Sequence, residues 1–142
     1  MRNRVIIVQS MFYQKIADVM TDAAVDAIKK VGCDYECVDV PGVFEIPAAV
    51  GMAIASKKYD AFVALGCVIR GETSHYDYVC GESARGLNDL AISTHAPIGY
   101  GIITADSVEQ AIIRADKKKK NVGGRAAYAA IRMLEVKEQM SF

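Results

Sequence analysis

Apolar positions recur along this chain with two periods in turn. Val5-Ile6-Ile7-Val8 is an unbroken β-branched run, the mark of a strand covered on both faces. Ile16, Val19, Met20, Ala23, Ala24, Ala27, Ile28 and Val31 then fall on one helical stripe, and Gly32 follows where a helix-ending glycine belongs. Tyr35-Glu36-Cys37-Val38-Asp39-Val40 reads as a second strand, closed by the turn signal Pro41-Gly42. Ile46, Ala49, Val50, Ala53 and Ile54 form a second stripe, with Pro47 in its first turn, where the missing N–H costs nothing. Residues 59–69 make a third strand. Val79, Cys80, Ser83, Leu87, Leu90 and Ala91 give a third helical face that ends before Pro97. Residues 98–103 form a fourth strand, in which Gly99 and Gly101 signal close backbone approach. A helix from about Ser107 is expected to bury Val108, Ala111, Ile112 and Ala115, and a last one from about Gly124 to present Ala127, Ala130, Ile131 and Leu134.

Strands alternating with helices through short connections predict an α/β domain spanning 1–142, a four-stranded parallel sheet between helix layers. In such a sheet, ligands bind beyond the carboxyl ends of the strands. That rule singles out residues 9–13, 43–45, 67–75 and 104–107.

Composition narrows the function. Seventeen basic and seventeen acidic residues balance, so no net field draws the molecule to nucleic acid or an anionic membrane. The lysine run at 117–120 is the one charge cluster, open to reading as a solvated surface or a local anion site. Four scattered cysteines, Cys33, Cys37, Cys67 and Cys80, lack zinc-site spacing and read as reduced thiols, with Cys67 and Cys80 buried. No stretch has the length of a membrane span or signal peptide, so a cytoplasmic protein is expected.

The densest chemistry lies in residues 66–77, where an apolar strand gives way to Arg70-Gly71-Glu72-Thr73-Ser74-His75. Ser74 and Asp77 have the spacing of a capping box, and the helix start they imply is a natural anion site. His75 reads either as a capping or surface histidine or as a general acid and base. Phe12 and Phe44 fit core positions or stacking platforms, although each lies in a loop. Glu45 reads as a first-turn carboxylate or a ligand contact. Arg70 is an ion-pair partner or a site cation, and Arg114 an exposed or functional one. There is no phosphate-binding glycine loop, no nucleophile elbow and no metal-ligand cluster. Proton transfer with oxyanion and phosphate stabilisation remains.

Three segments carry a resemblance. Residues 40–47 (VPGVFEIP), residues 65–79 (LGCVIRGETSHYDYV) and residues 100–115, with Tyr100-Gly101-Ile102-Ile103-Thr104 and Glu109-Gln110-Ala111 leading to Arg114-Ala115, closely resemble the lumazine synthase family. The resemblance spans nearly the whole chain. It implies a flavodoxin-like three-layer sandwich that condenses 5-amino-6-ribitylaminouracil with 3,4-dihydroxy-2-butanone 4-phosphate, without cofactor or metal. By that resemblance Phe12 stacks on the pyrimidine, and Val43, Phe44 and Glu45 contact ring and ribityl chain. Cys67, Val68 and Ile69 line the pyrimidine side. Glu72 and Thr73 bind the phosphate with Arg114 as its clamp, and His75 transfers protons.

The resemblance also implies a homopentamer, closing in some relatives into an icosahedral shell, with Tyr100 presented to a neighbouring subunit's site. Three positions depart from the family pattern: Met11 and Tyr13 replace the usual Arg and Asn around the aromatic, and Val122 the usual lysine. Two rival readings are a relative of archaeal-type riboflavin synthase and a non-catalytic flavin-binding pentamer.

Overall fold

A computed structural model describes residues 2–140. The strands are β1 (Arg4–Ser10), β2 (Asp34–Val40), β3 (Ala61–Ile69) and β4 (Ile98–Ala105). Helices α1 (Gln14–Lys30), α2 (Ile46–Ser56), α3 (His75–Thr94), α4 (Val108–Ala115) and α5 (Val122–Gln139) connect and follow them, with one 3-10 turn at Val43–Glu45. All strand pairs are parallel, in the order β2-β1-β3-β4, as the alternation predicts.

The strand period of two divides the core. Val5 and Ile7 of β1 and Val63 and Leu65 of β3 pack with α1, α4 and α5. Ile6, Val8, Phe62 and Ala64 face the other way, onto α2 and α3. The result is a three-layer α/β/α sandwich. β1 and β3 carry apolar residues on both faces because both faces are covered. At the sheet edge β2 has less cover: only Val40 is half-buried and the other six residues are exposed.

Glycine sets the spacing between β4 and α5. A Cβ at Gly99 would collide with the Ala126 carbonyl, and one at Gly101 would stand 2.8 Å from the Ala126 Cβ. The expected close approach is therefore to a helix, whose Ala126, Ala127 and Ala130 are buried. Gly32 has φ +76° after α1, the left-handed conformation that favours glycine at a helix end.

Several expected burials differ. On α4 only Ala111 and Ala115 are buried, whereas Val108 and Ile112 are 48% and 52% exposed. Two helical turns cover little of the sheet, so these side chains line an open groove of about 660 Å³ with Val19 of α1. Val19 and Val31 are likewise exposed. Cys67 is buried but Cys80 is only half-buried, and all four thiols are free. α5 begins two residues earlier than its apolar stripe suggests, because Asn121 caps it, its side-chain oxygen accepting from the Gly124 N–H at 3.2 Å.

Candidate active site

The order β2-β1-β3-β4 requires the chain to reverse direction after β2, passing from the outer edge across β1 to β3. The crevice beyond the carboxyl ends of β1 and β3 is thus the switch point where an open sheet admits a ligand. A cavity of about 430 Å³ lies there. Its wall includes Phe12 from the β1 loop, Val43, Phe44 and Glu45 from the 3-10 turn, Cys67, Val68 and Ile69 from the end of β3, and His75 at the start of α3. Eight of the expected residues are brought together from segments more than sixty positions apart.

Each segment is positioned locally. Val43 is buried at the mouth of the sheet, while Phe44 turns outward. Phe12 is 75% exposed and meets Tyr13 edge to face, with ring centroids 5.1 Å apart. A ring so exposed at a cavity wall is not part of the core. The exposure of Phe12 and Phe44 sets aside the core reading of these aromatics. Burial pushes the Cys67 thiol up to about 11, so it lines the cavity as a neutral, weakly polar group.

The start of α3 differs from the expected capping box. Ser74 makes no side-chain cap; the Asp77 and Tyr78 N–H groups donate instead to its backbone carbonyl. Asp77 is drawn to Arg70, 3.4 Å from Nη1, and Thr73 supplies the side-chain contact by accepting the His75 N–H at 3.3 Å. A full positive charge within reach competes well with a backbone N–H for a carboxylate. Glu72, Thr73 and His75 are exposed around this helix start, whose dipole favours an anion although the His75, Asp77 and Tyr78 N–H groups are already bonded.

Arg70 is the structural centre of this end of the sheet. Its Nε donates to Asp106 at 3.0 Å, its guanidinium lies 4.3 Å from the Tyr76 ring centroid, and its backbone N–H donates to the Ala105 carbonyl. The Asp106 hydrogen bond raises its already high pKa further. It is an ion-pair residue, as one of its two readings has it.

Four expected residues, Glu72, Thr73, Tyr100 and Arg114, are not in the cavity wall. Tyr100 pairs with Ala64 in the sheet register and so points to the α3 face, beside Ser83, with 42% of its surface exposed. Arg114 is half-buried on α4, its Nη1 donating to the Gln110 side-chain oxygen at 3.4 Å. Conversely, Ser10, Tyr13, Pro41, Gly42 and Val79 line the cavity although none was assigned a site role from the sequence. Val79 had a signal: it lies one helical turn after His75 and shares its face. Ser10 is buried, and its hydroxyl has no partner among the described residues.

Comparison with known proteins supplies the family. The family model described as 6,7-dimethyl-8-ribityllumazine synthase matches residues 2–138. The 6,7-dimethyl-8-ribityllumazine synthase of Methylorubrum populi is 48% identical over 139 residues, covering 94% of this chain and 82% of that protein. 6,7-Dimethyl-8-ribityllumazine synthase 1 of Rhizobium meliloti is 47% identical, covering 96% and 92%. The Agrobacterium fabrum synthase is 46% identical over 95% of both chains. A match along almost the full length, at nearly half the positions, shows the family: the chain belongs to the 6,7-dimethyl-8-ribityllumazine synthase family.

Proposed function

We propose that this cavity condenses 5-amino-6-ribitylaminouracil with 3,4-dihydroxy-2-butanone 4-phosphate, giving 6,7-dimethyl-8-ribityllumazine for riboflavin biosynthesis. The observation that carries the assignment of roles is the meeting of Phe12, the 43–45 turn, the end of β3 and His75 around one cavity. Phe12 stacks on the pyrimidine, and Val43, Phe44 and Glu45 hold the ring and ribityl chain. Cys67, Val68 and Ile69 form the apolar back wall. The phosphate binds at the start of α3 through backbone and hydroxyl donors of Glu72 and Thr73, with Arg114 as its clamp. The Thr73 hydroxyl oxygen accepts from the His75 backbone, which leaves its O–H to donate.

The uracil amine attacks the ketone to give an imine with loss of water. Elimination then expels phosphate, and attack of the ribitylamino nitrogen with loss of a second water closes the ring. Each step moves protons, and His75 at the cavity rim is the group that moves them. Holding two reactants in register supplies much of the rate, so His75→Ala slows turnover only modestly.

The cavity of one chain lacks Tyr100, which is exposed on the α3 face instead. This supports a homopentamer in which Tyr100 closes a neighbouring copy's site, with or without closure of pentamers into a shell. Four free thiols are in keeping with a cytoplasmic location. Among the described residues no helix is long and apolar enough to cross a membrane.

The test is formation of the fluorescent lumazine from the two substrates, with sizing by analytical ultracentrifugation. His75→Ala is expected to lower kcat, and Arg114→Ala to raise KM for the phosphate substrate. Turnover unaffected in both variants, or a fully active monomer, would refute these roles.

A further inference from the structure

The side chain of Gln110 makes a connection that the reaction as described does not use. Its carbonyl oxygen accepts from two donors: the Asp106 backbone N–H at 2.8 Å and Nη1 of Arg114 at 3.4 Å. The first bond reaches back over the start of α4 to the loop after β4. The second runs one helical turn forward, to the guanidinium. Gln110 also has its own backbone N–H held by the Ser107 cap at 3.2 Å, so its position on the first turn is set.

Asp106 is itself anchored. Its carboxylate is bound by Arg70 Nε at 3.0 Å, and the Arg70 guanidinium is held by Asp77 and by the face of Tyr76. The residue before it, Ala105, accepts the Arg70 backbone N–H at 2.9 Å. A chain of contacts therefore runs from the first turn of α3 through Arg70 and Asp106 to Gln110, and ends on Arg114. A long arginine side chain at half-exposure has many rotamers, and fixing one of them before the ligand arrives lowers the cost of binding an anion.

We propose that Gln110 is a positioning residue for the phosphate substrate: it holds the Arg114 guanidinium against the Asp106 loop, which Arg70 ties to α3. The proposal rests on Arg114 being the phosphate clamp. Gln110 touches no reacting atom, so its removal acts on capture of the phosphate substrate and leaves the chemical step alone.

The experiment is a double-mutant cycle on the full chain in the lumazine-forming assay, varying each substrate in turn. Gln110→Ala is expected to raise KM for 3,4-dihydroxy-2-butanone 4-phosphate by about three- to tenfold, the range of one hydrogen bond to a charged group at a partly exposed site. The expected kcat and KM for the pyrimidine are those of the wild type. In an Arg114→Ala background, Gln110→Ala should add no further change, because the group it positions is gone.

An unchanged phosphate KM in Gln110→Ala, or an equal loss with and without Arg114, overturns the proposal. A matching rise in the pyrimidine KM does so as well, since that marks general damage to α4. If Arg114→Ala itself leaves the phosphate KM unaltered, the clamp assignment fails and this inference fails with it.

Discussion

Replacing Gly66 by alanine should damage the site through a single methyl group. Gly66 lies near the end of β3, and a Cβ there would stand 2.6 Å from Val43 Cγ2 and 3.3 Å from Ile46 Cδ1. An ordinary contact begins at 3.4 Å, so Val43 must retreat by about 0.8 Å. It has little freedom to do this by rotation, being β-branched and buried. The displacement passes to the backbone of the turn and carries Phe44 and Glu45 outward. Overpacking of this size costs about 1–3 kcal/mol. For a chain of this length, each kcal/mol lowers the melting temperature by about 2–4 °C, so a loss of several degrees is expected. Misplacement by about 1 Å can cost a hundredfold where reacting atoms are involved. With the turn in its proposed role of holding the pyrimidine at a distance from those atoms, about tenfold in kcat/KM is expected, most of it in the pyrimidine KM. Thermal melting and steady-state kinetics with both substrates measure the two effects. Val43→Ala removes the clashing Cγ2, so the double variant should recover affinity relative to Gly66→Ala. Wild-type melting and KM in Gly66→Ala, or a double variant worse than either single one, would refute the reasoning.

Two further outcomes follow from the cavity wall. Phe12→Ala should leave the melting temperature almost unchanged, because the ring is largely exposed, yet raise the pyrimidine KM roughly tenfold, as loss of one stacking platform does; Phe12→Trp should retain affinity, and an unaltered KM in Phe12→Ala would remove the stacking role. The Cys67 thiol is held neutral by burial, its pKa raised from 9.0 to about 11. The folded state keeps this proton longer than the unfolded chain, so the associated stability is fully present below pH 9.0 and is lost as pH rises through about 11. Urea unfolding midpoints should fall across that window, and Cys67→Ala should flatten the fall; equal slopes in the two proteins would contradict it.

The order of strands and helices was legible because both periods are strong here. Residues 5–8 can only be a two-sided strand, and the stripe from Ile16 to Ile28 only a helix. The place of the site followed from that order, since a parallel sheet puts its loops at one end. Burial at Val108 and Ile112 was not legible: helical spacing tells which residues share a face, but says nothing of whether another layer covers that face. The capping-box spacing at Ser74 and Asp77 was real, yet it could not reveal that Arg70 would draw the carboxylate away. Tyr100 stood in the same ambiguity. Its place in the motif is clear from the sequence, but the sheet register is needed to see that it lies on the α3 face, outside the wall of its own chain's cavity.

That ring has an unusual mounting. Tyr100 projects from β4 between Gly99 and Gly101, whose bare Cα atoms rest directly on Ala126 and Ala130 of α5. At Gly99 the nearest atoms all belong to Ala126 and Ala130, so no flexible side chain absorbs a displacement there, while at Gly101 the Leu65 Cδ2 also lies against the strand. β4 therefore behaves as a thin, stiff plate, with the helix bearing on one side and the tyrosine fixed to the other. A bulkier residue at Ala126 or Ala130 would push the strand and shift the ring on the opposite surface of the sheet. The placement of the Tyr100 ring is thereby governed from α5, by residues on the opposite face of the sheet.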